Sequence, residues 1–149
     1  MLYIYLIFIL CQVQLVQPRL KDRMENLNKM RKIADYQLNK GVGNVLFPEN
    51  VKIAFSRTTG RIRHIHFKSE LVATLRPTDG VFSLTLNGAK RLVREACSTG
   101  LLVKVSRDSA PFVAKGKSVF AKHVIEADTE IRPSEEVMVV DEDSKLLAV

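Results

Sequence analysis

Four short β-rich runs, cut apart by turn-forming clusters between residues 51 and 86, constrain the fold more than any other feature. Residues 51–56 alternate, which puts Val51, Ile53 and Phe55 on one face of a strand. Residues 57–60 form a turn, with Gly60 free to take positive φ. Residues 61–67 return as a second strand. Ile62 and Ile65 differ in parity, so a bulge is expected near His64. Residues 71–75 give a third strand. Arg76-Pro77-Thr78-Asp79-Gly80 is a strong turn, shaped by Asp79. Residues 81–86 give a fourth strand. Connections this short join antiparallel neighbours.

Helical periodicity brackets these strands. Leu20, Met24, Leu27, Met30 or Arg31, Ala34 and Leu38 recur at spacings of three and four. Asp22 and Glu25 read as a capping pair, and Gly41 and Gly43 as the stop. Arg23, Lys29 and Lys32 fall on the solvated face. Asn87 is the expected N-cap of a second helix, with Ala89, Leu92, Val93, Ala96 and Cys97 as its apolar stripe and Gly100 as its stop. Its outer face would carry Lys90, Arg91 and Arg94. Residues 21–100 therefore read as an α+β domain.

Residues 101–149 read as a second unit. Residues 101–105 start it as a strand. A short helix follows, capped by Asp108 or Ser109, with Pro111 in its first turn and Phe112 and Val113 facing inward. Gly116 closes that helix, and a basic turn then feeds a strand. Lys115, Lys117 and Lys122 present cations there, and Gly116 has no Cβ to hold a bulky anion away. Residues 138–140 form a β-branched-rich strand, stopped by the acidic run at 141–144.

Charge is unevenly shared. Residues 1–122 hold 21 Lys+Arg against 8 Asp+Glu, a balance of +13, whereas residues 123–149 balance at −6. A basic body with an acidic end suits a polyanion met by one face. Cys11 and Cys97 are too few and too far apart for a metal set or a disulfide framework, so a reduced intracellular compartment is expected. Residues 1–10 are apolar or aromatic throughout, yet with residues 11–17 they fall short of a membrane span. A secretory signal needs a positive start and a small-residue cleavage site, and neither is present. A buried strand or an atypical start to the reading frame ranks above a membrane anchor.

Catalytic chemistry finds no foothold. His64 and His66 share a strand face, but no Cys, Asp or Glu nearby completes a metal set. Exposed strand histidines are the preferred reading. Ser109 and Ser118 lack a His/Asp arrangement, and no phosphate loop or dinucleotide glycine pattern occurs. No catalytic residue, metal ligand or cofactor is expected. Arg61 and Arg63, with Lys52, make a basic patch or simply a solvated face.

Two stretches carry family resemblances. Gly116-x-Ser118-Val119-Phe120-Ala121, then Ile131-Arg132-Pro133, then residues 136–141 resemble the PUA domain, a small RNA-binding β-barrel. Asp35-Tyr36-Gln37, Gly41-Val42-Gly43, Leu46-Phe47, residues 59–63, residues 73–80 and residues 86–89 resemble the small domain before PUA in archaeal archaeosine tRNA-guanine transglycosylases. Residues 1–20 lie outside both. The resemblance implies an α+β pre-PUA domain and then a PUA barrel that lacks its last strands, which leaves unpaired edges. It implies that RNA lies on the short helix, the glycine turn and the strand after it. Those positions are Lys115, Gly116, Lys117, Ser118, Lys122 and His123, with Arg107 before the helix. Arg61, Arg63, Lys90, Arg91 and Arg94 form a secondary basic surface.

The expected function is non-catalytic, cytoplasmic binding of structured RNA, tRNA first, in tRNA modification. A detached C-terminal portion of a transglycosylase, working with a catalytic subunit, is the alternative. A membrane-tethered protein ranks third.

Overall fold

The structure, a computed structural model, describes residues 20–95 and 100–149, with side chains from Asp22 onward. The apolar start at 1–17, Cys11, Ala96 and Cys97 lie outside the described residues.

Helix α1 (Leu20–Leu38) buries Leu27, Met30, Ala34 and Leu38 at helical spacing. Met24 is 40% exposed, so the buried stripe starts a turn later than expected. Asp22 sits within the first turn of the helix and is not its N-cap residue. Gly41 takes φ +91°, and helix α2 (Val42–Leu46) follows at once. Gly43 is thus inside a helix and does not act as the stop. Its amide donates to the Asp35 carboxylate (2.6 Å), and a Cβ there would overlap the Arg31 backbone. The glycine lets α2 close onto α1.

Strands β1 (Lys52–Phe55), β2 (Ile62–Phe67), β3 (Glu70–Leu75) and β4 (Phe82–Leu84) pair in that order, antiparallel throughout. Ala54 pairs with His64 but Phe55 with Ile62, which leaves Arg63 as the extra residue of a bulge beside His64. Phe55, the last residue of β1, is 41% exposed, whereas Val51 is buried and Ile53 half-buried. The turn between β3 and β4 is closed by Gly80 N–H to the Arg76 carbonyl (3.0 Å) and by the Arg76–Asp79 ion pair (3.1 Å). Helix α3 (Leu86–Arg94) is capped by Thr85, not Asn87. The Thr85 hydroxyl accepts from Gly88 N–H (3.3 Å) and reaches the Leu71 and Val72 carbonyls of β3, so the sheet itself fixes where the helix begins. Phe47 and Phe82 pack at 4.9 Å between centroids in the middle of the core.

The second half holds β5 (Leu102–Val105), helix α4 (Ala110–Val113), a 3₁₀ turn at Ala121–His123, then β6 (Val124–Ala127), β7 (Met138–Val140) and β8 (Leu146–Ala148). Its sheet runs β6-β5-β7-β8, with β5 and β7 parallel and the other pairs antiparallel. Among the described residues it is open, with β6 and β8 at its edges, and the class is α+β. Residues 117–120 are not the strand expected after the glycine turn; pairing begins only at Val124. Phe112 does not face inward either. One turn of helix shows only one side to the sheet, and Val113 takes it, leaving Phe112 62% exposed.

The main core does not stop at residue 100. Leu101 and Met138 belong to the cluster built on α1, α2 and the first sheet. Glu136 accepts from Leu84 N–H at 2.7 Å, tying the second half to β4. Gln37 of α1 brackets Phe82, accepting from its amide (2.7 Å) and donating to its carbonyl (2.8 Å). Val105, Val113 and Val139 form a separate, much smaller cluster. No helix among the described residues is long and apolar enough to cross a membrane.

Candidate nucleic-acid interface

A cavity of about 450 Å³ opens beside α4. Three expected site residues, Lys117, Ser118 and His123, line it together with Asp108, Ser109, Phe112, Val113, Val119 and Phe120. Phe112 and Phe120 are 62% and 63% exposed at its rim, while Val113 is buried. Local chemistry fixes the shape. Gly116 takes φ +79°, its amide donates to the Val113 carbonyl (2.8 Å), and Lys117 N–H donates to the Phe112 carbonyl (3.1 Å). This left-handed exit reverses the chain under α4. The far wall is held by the 3₁₀ turn, where His123 N–H donates to the Phe120 carbonyl and the His123 carbonyl accepts from Ser106 N–H, both at 2.9 Å. Ser109 is buried, and its hydroxyl is spent on the Ser106 carbonyl (2.9 Å).

The remaining expected residues are placed differently. Lys115, in the turn after α4, and Lys122, in the 3₁₀ turn, are exposed but do not line the cavity. Arg107 is committed to the acidic turn after β7. Its amide donates to Glu142 (2.9 Å), and its guanidinium lies 3.5 Å from Asp143. Phe112 and Phe120 were missing from the expected site, although an aromatic on a one-turn helix and another beside a basic turn were the available signals.

The secondary basic residues are divided between the first sheet and α3. Arg61 and Arg63 are exposed at the first sheet, where Lys52 pairs across from His66, and Ala54 from His64. Lys90 and Arg94 are exposed on α3. Arg91 is not on an outer face. Its guanidinium stacks 4.0 Å above the Phe67 ring and donates to the Val45 carbonyl (2.8 Å), so it serves packing. His64 Nδ1 lies 3.2 Å from the Thr74 hydroxyl, and the His64 and His66 rings sit edge to face at 6.4 Å. Among the described residues no group of three or more His, Cys, Asp or Glu is arranged to hold a metal ion.

Electrostatics separate this cavity from a larger groove of about 650 Å³ between the two halves. Glu130, Glu135, Glu136 and Asp79 line that groove against Arg76 and Arg132, an excess of carboxylates that disfavours phosphate. On the neighbouring edge strand, Lys104 and Glu126 pair across β5 and β6 at 2.8 Å. Their hydrogen bond, and then their mutual charge, raises the lysine pKa and lowers the glutamate's.

The second half is thus an open mixed sheet with a basic and aromatic cavity beside a glycine turn, packed on an α+β core. Residues 102–149 match the PUA domain, and residues 28–98 match the patch-forming domain C2 of tRNA-guanine transglycosylase. Together the two matches run from residue 28 to residue 149, so the chain resembles the C2 and PUA portion of tRNA-guanine transglycosylases. It is 44% identical over 125 residues to the tRNA-guanine(15) transglycosylase of Methanothermobacter thermautotrophicus, covering 84% of this chain and 19% of that protein. The Methanobrevibacter smithii and Thermoplasma volcanium enzymes are each 45% identical, over 124 and 130 residues, with 83% and 87% of this chain covered and 19% and 20% of theirs. The chain thus spans about a fifth of the length of these relatives. A crystal structure of a hypothetical protein from Pyrococcus horikoshii OT3 shares the fold, with a TM-score of 0.60 and 18% identity over 80% of this chain and 72% of that one.

Proposed function

We propose that this chain binds structured RNA, tRNA first, through the cavity beside α4, and that it contributes grip and orientation to tRNA modification without base-exchange chemistry of its own. The observation that carries this reading is the joining of Lys117, Ser118 and His123 to two exposed phenylalanines around one cavity. Cations meet phosphate, while aromatic rings accept the face of an unstacked base. A solvated basic surface has no need of Phe112 and Phe120 in water. The similarity to tRNA-guanine(15) transglycosylases supplies the RNA class, and the PUA match supports the same site.

The similarity to tRNA-guanine(15) transglycosylases favours a second reading: these residues act together with a catalytic part that performs the exchange. Fluorescence anisotropy with labelled tRNA tests the primary reading. Lys117→Glu should weaken binding more than Lys29→Glu or Lys32→Glu, which alter total charge equally on the exposed side of α1. Equal losses from all three would place the RNA elsewhere. Adding the candidate catalytic chain and measuring guanine exchange, with and without this protein, tests the second.

A further inference from the structure

The cavity that gathers Lys117, Ser118 and His123 also contains a carboxylate. Asp108 lines it just before α4 and is exposed, and no hydrogen bond or ion pair among the described residues engages its side chain. Glu142 and Asp143 nearby are different, since Arg107 takes both. A lone negative charge in a phosphate-binding cavity repels the backbone it is meant to hold. It is useful only against a part of the ligand that presents N–H donors, and on RNA those are the edges of the bases.

We propose that Asp108 is the specificity residue of this cavity, reading the Watson–Crick edge of an unstacked base and favouring guanine over uracil. The inference rests on the reading that the cavity takes a base. A carboxylate offers only acceptors. Guanine presents N1–H and N2–H side by side, which matches the two carboxylate oxygens in a bidentate pair, as arginine matches them elsewhere. Its O6 is left for a donor, and Lys117 and Ser118, which also line the cavity, supply donors. Adenine and cytosine each present an exocyclic amine next to a ring acceptor, so they bring one donor edge. Uracil presents a single N–H between two carbonyl oxygens, both repelled by the carboxylate. The phenylalanines hold any base by its face; Asp108 distinguishes the edges.

The test uses the full chain and four labelled six-nucleotide RNAs, all uridine or with one central guanosine, adenosine or cytidine. Anisotropy should show the guanosine RNA binding about tenfold tighter than the uridine RNA, with the other two between, the scale of one bidentate base contact. Asp108→Asn should cut that ratio to about twofold and tighten uridine binding, because a repulsive charge has gone. Loss of an ordinary structural contact would tighten nothing. A guanosine preference unchanged in Asp108→Asn, or equal binding of all four RNAs by the wild type, overturns the role of Asp108. Phe120→Ala separates that failure from failure of the site itself. If it weakens binding severalfold or more while Asp108→Asn changes nothing, only the edge reading is wrong; if Phe120→Ala binds normally, the cavity is not where the base sits and both readings fall.

Discussion

The two sheets of this molecule bury their apolar residues to very different degrees. The first, packed with α1, α2 and α3, shares a cluster in which Leu27, Met30, Leu46, Phe47, Ile65, Phe82 and Leu92 are almost fully removed from water. The second keeps only Val105, Val113 and Val139 in its own cluster and leaves Phe112, Phe120 and Ile125 more than half exposed. Aromatic area is the largest source of burial energy a small core has. Where it is withheld from the core and set around a basic cavity, it is available to a ligand. The first half supplies stability, and the second borrows it through Leu101, Met138 and the Glu136–Leu84 bond while presenting the site.

The sharpest way to break this contrast is a pair of identical truncations. Phe82→Ala should lower stability by about 3–5 kcal/mol, read as a large fall in the thermal or urea midpoint. Phe112→Ala should leave that midpoint nearly unchanged, since its ring is already in water. Similar losses from both would mean that the second half has a core of its own around α4. RNA binding should rank the same two halves in reverse. Phe112→Ala or Phe120→Ala should each cost about 1–3 kcal/mol of tRNA affinity, the worth of one base–aromatic stack, with folding intact by circular dichroism.

Gln37→Ala probes the edge of the first sheet. It frees the Phe82 amide and carbonyl at once, and stranded backbone groups of this kind cost about 1–3 kcal/mol. The loss should appear in chemical denaturation and leave guanosine preference untouched. The smallest effect belongs to Lys104–Glu126. The folded-state pKa of Glu126 is lowered, so its contribution is present above the unfolded value and lost as pH falls through the folded one. The raised pKa of Lys104 makes the complementary contribution, present at neutral pH and lost as alkaline pH passes the folded value. Both partners are solvent-screened, so Glu126→Gln should change the acid limb of a stability–pH curve only slightly. A large change there would mean that the pair anchors β6.

The strands of the first sheet and β7 were legible because their breaks are local. Gly60, the Pro77-to-Gly80 turn and the acidic run at 141–144 act within a few residues of where they stand. What escaped the sequence was decided at long range. Thr85 displaced Asn87 as a cap because β3 carbonyls lie beside it. Arg91 reads as an outer-face cation until Val45, 46 residues away, offers it a carbonyl. At the candidate site Lys117, Ser118 and His123 were legible from the family pattern. Phe112 was not, because alternation and helical period cannot say which side of a single turn meets the sheet. Asp108 was read as a candidate cap for α4, and only its place on the cavity wall suggests a different role.

The most direct measurement is an amide chemical-shift map of the full chain during titration with tRNA. The largest early changes should fall between Asp108 and His123, with the amides of β1 to β4 close to their free positions. Changes centred instead on Arg61, Arg63, Lys90 and Arg94, with Lys117 and Phe120 unmoved, would contradict the assignment of the RNA site to the cavity beside α4.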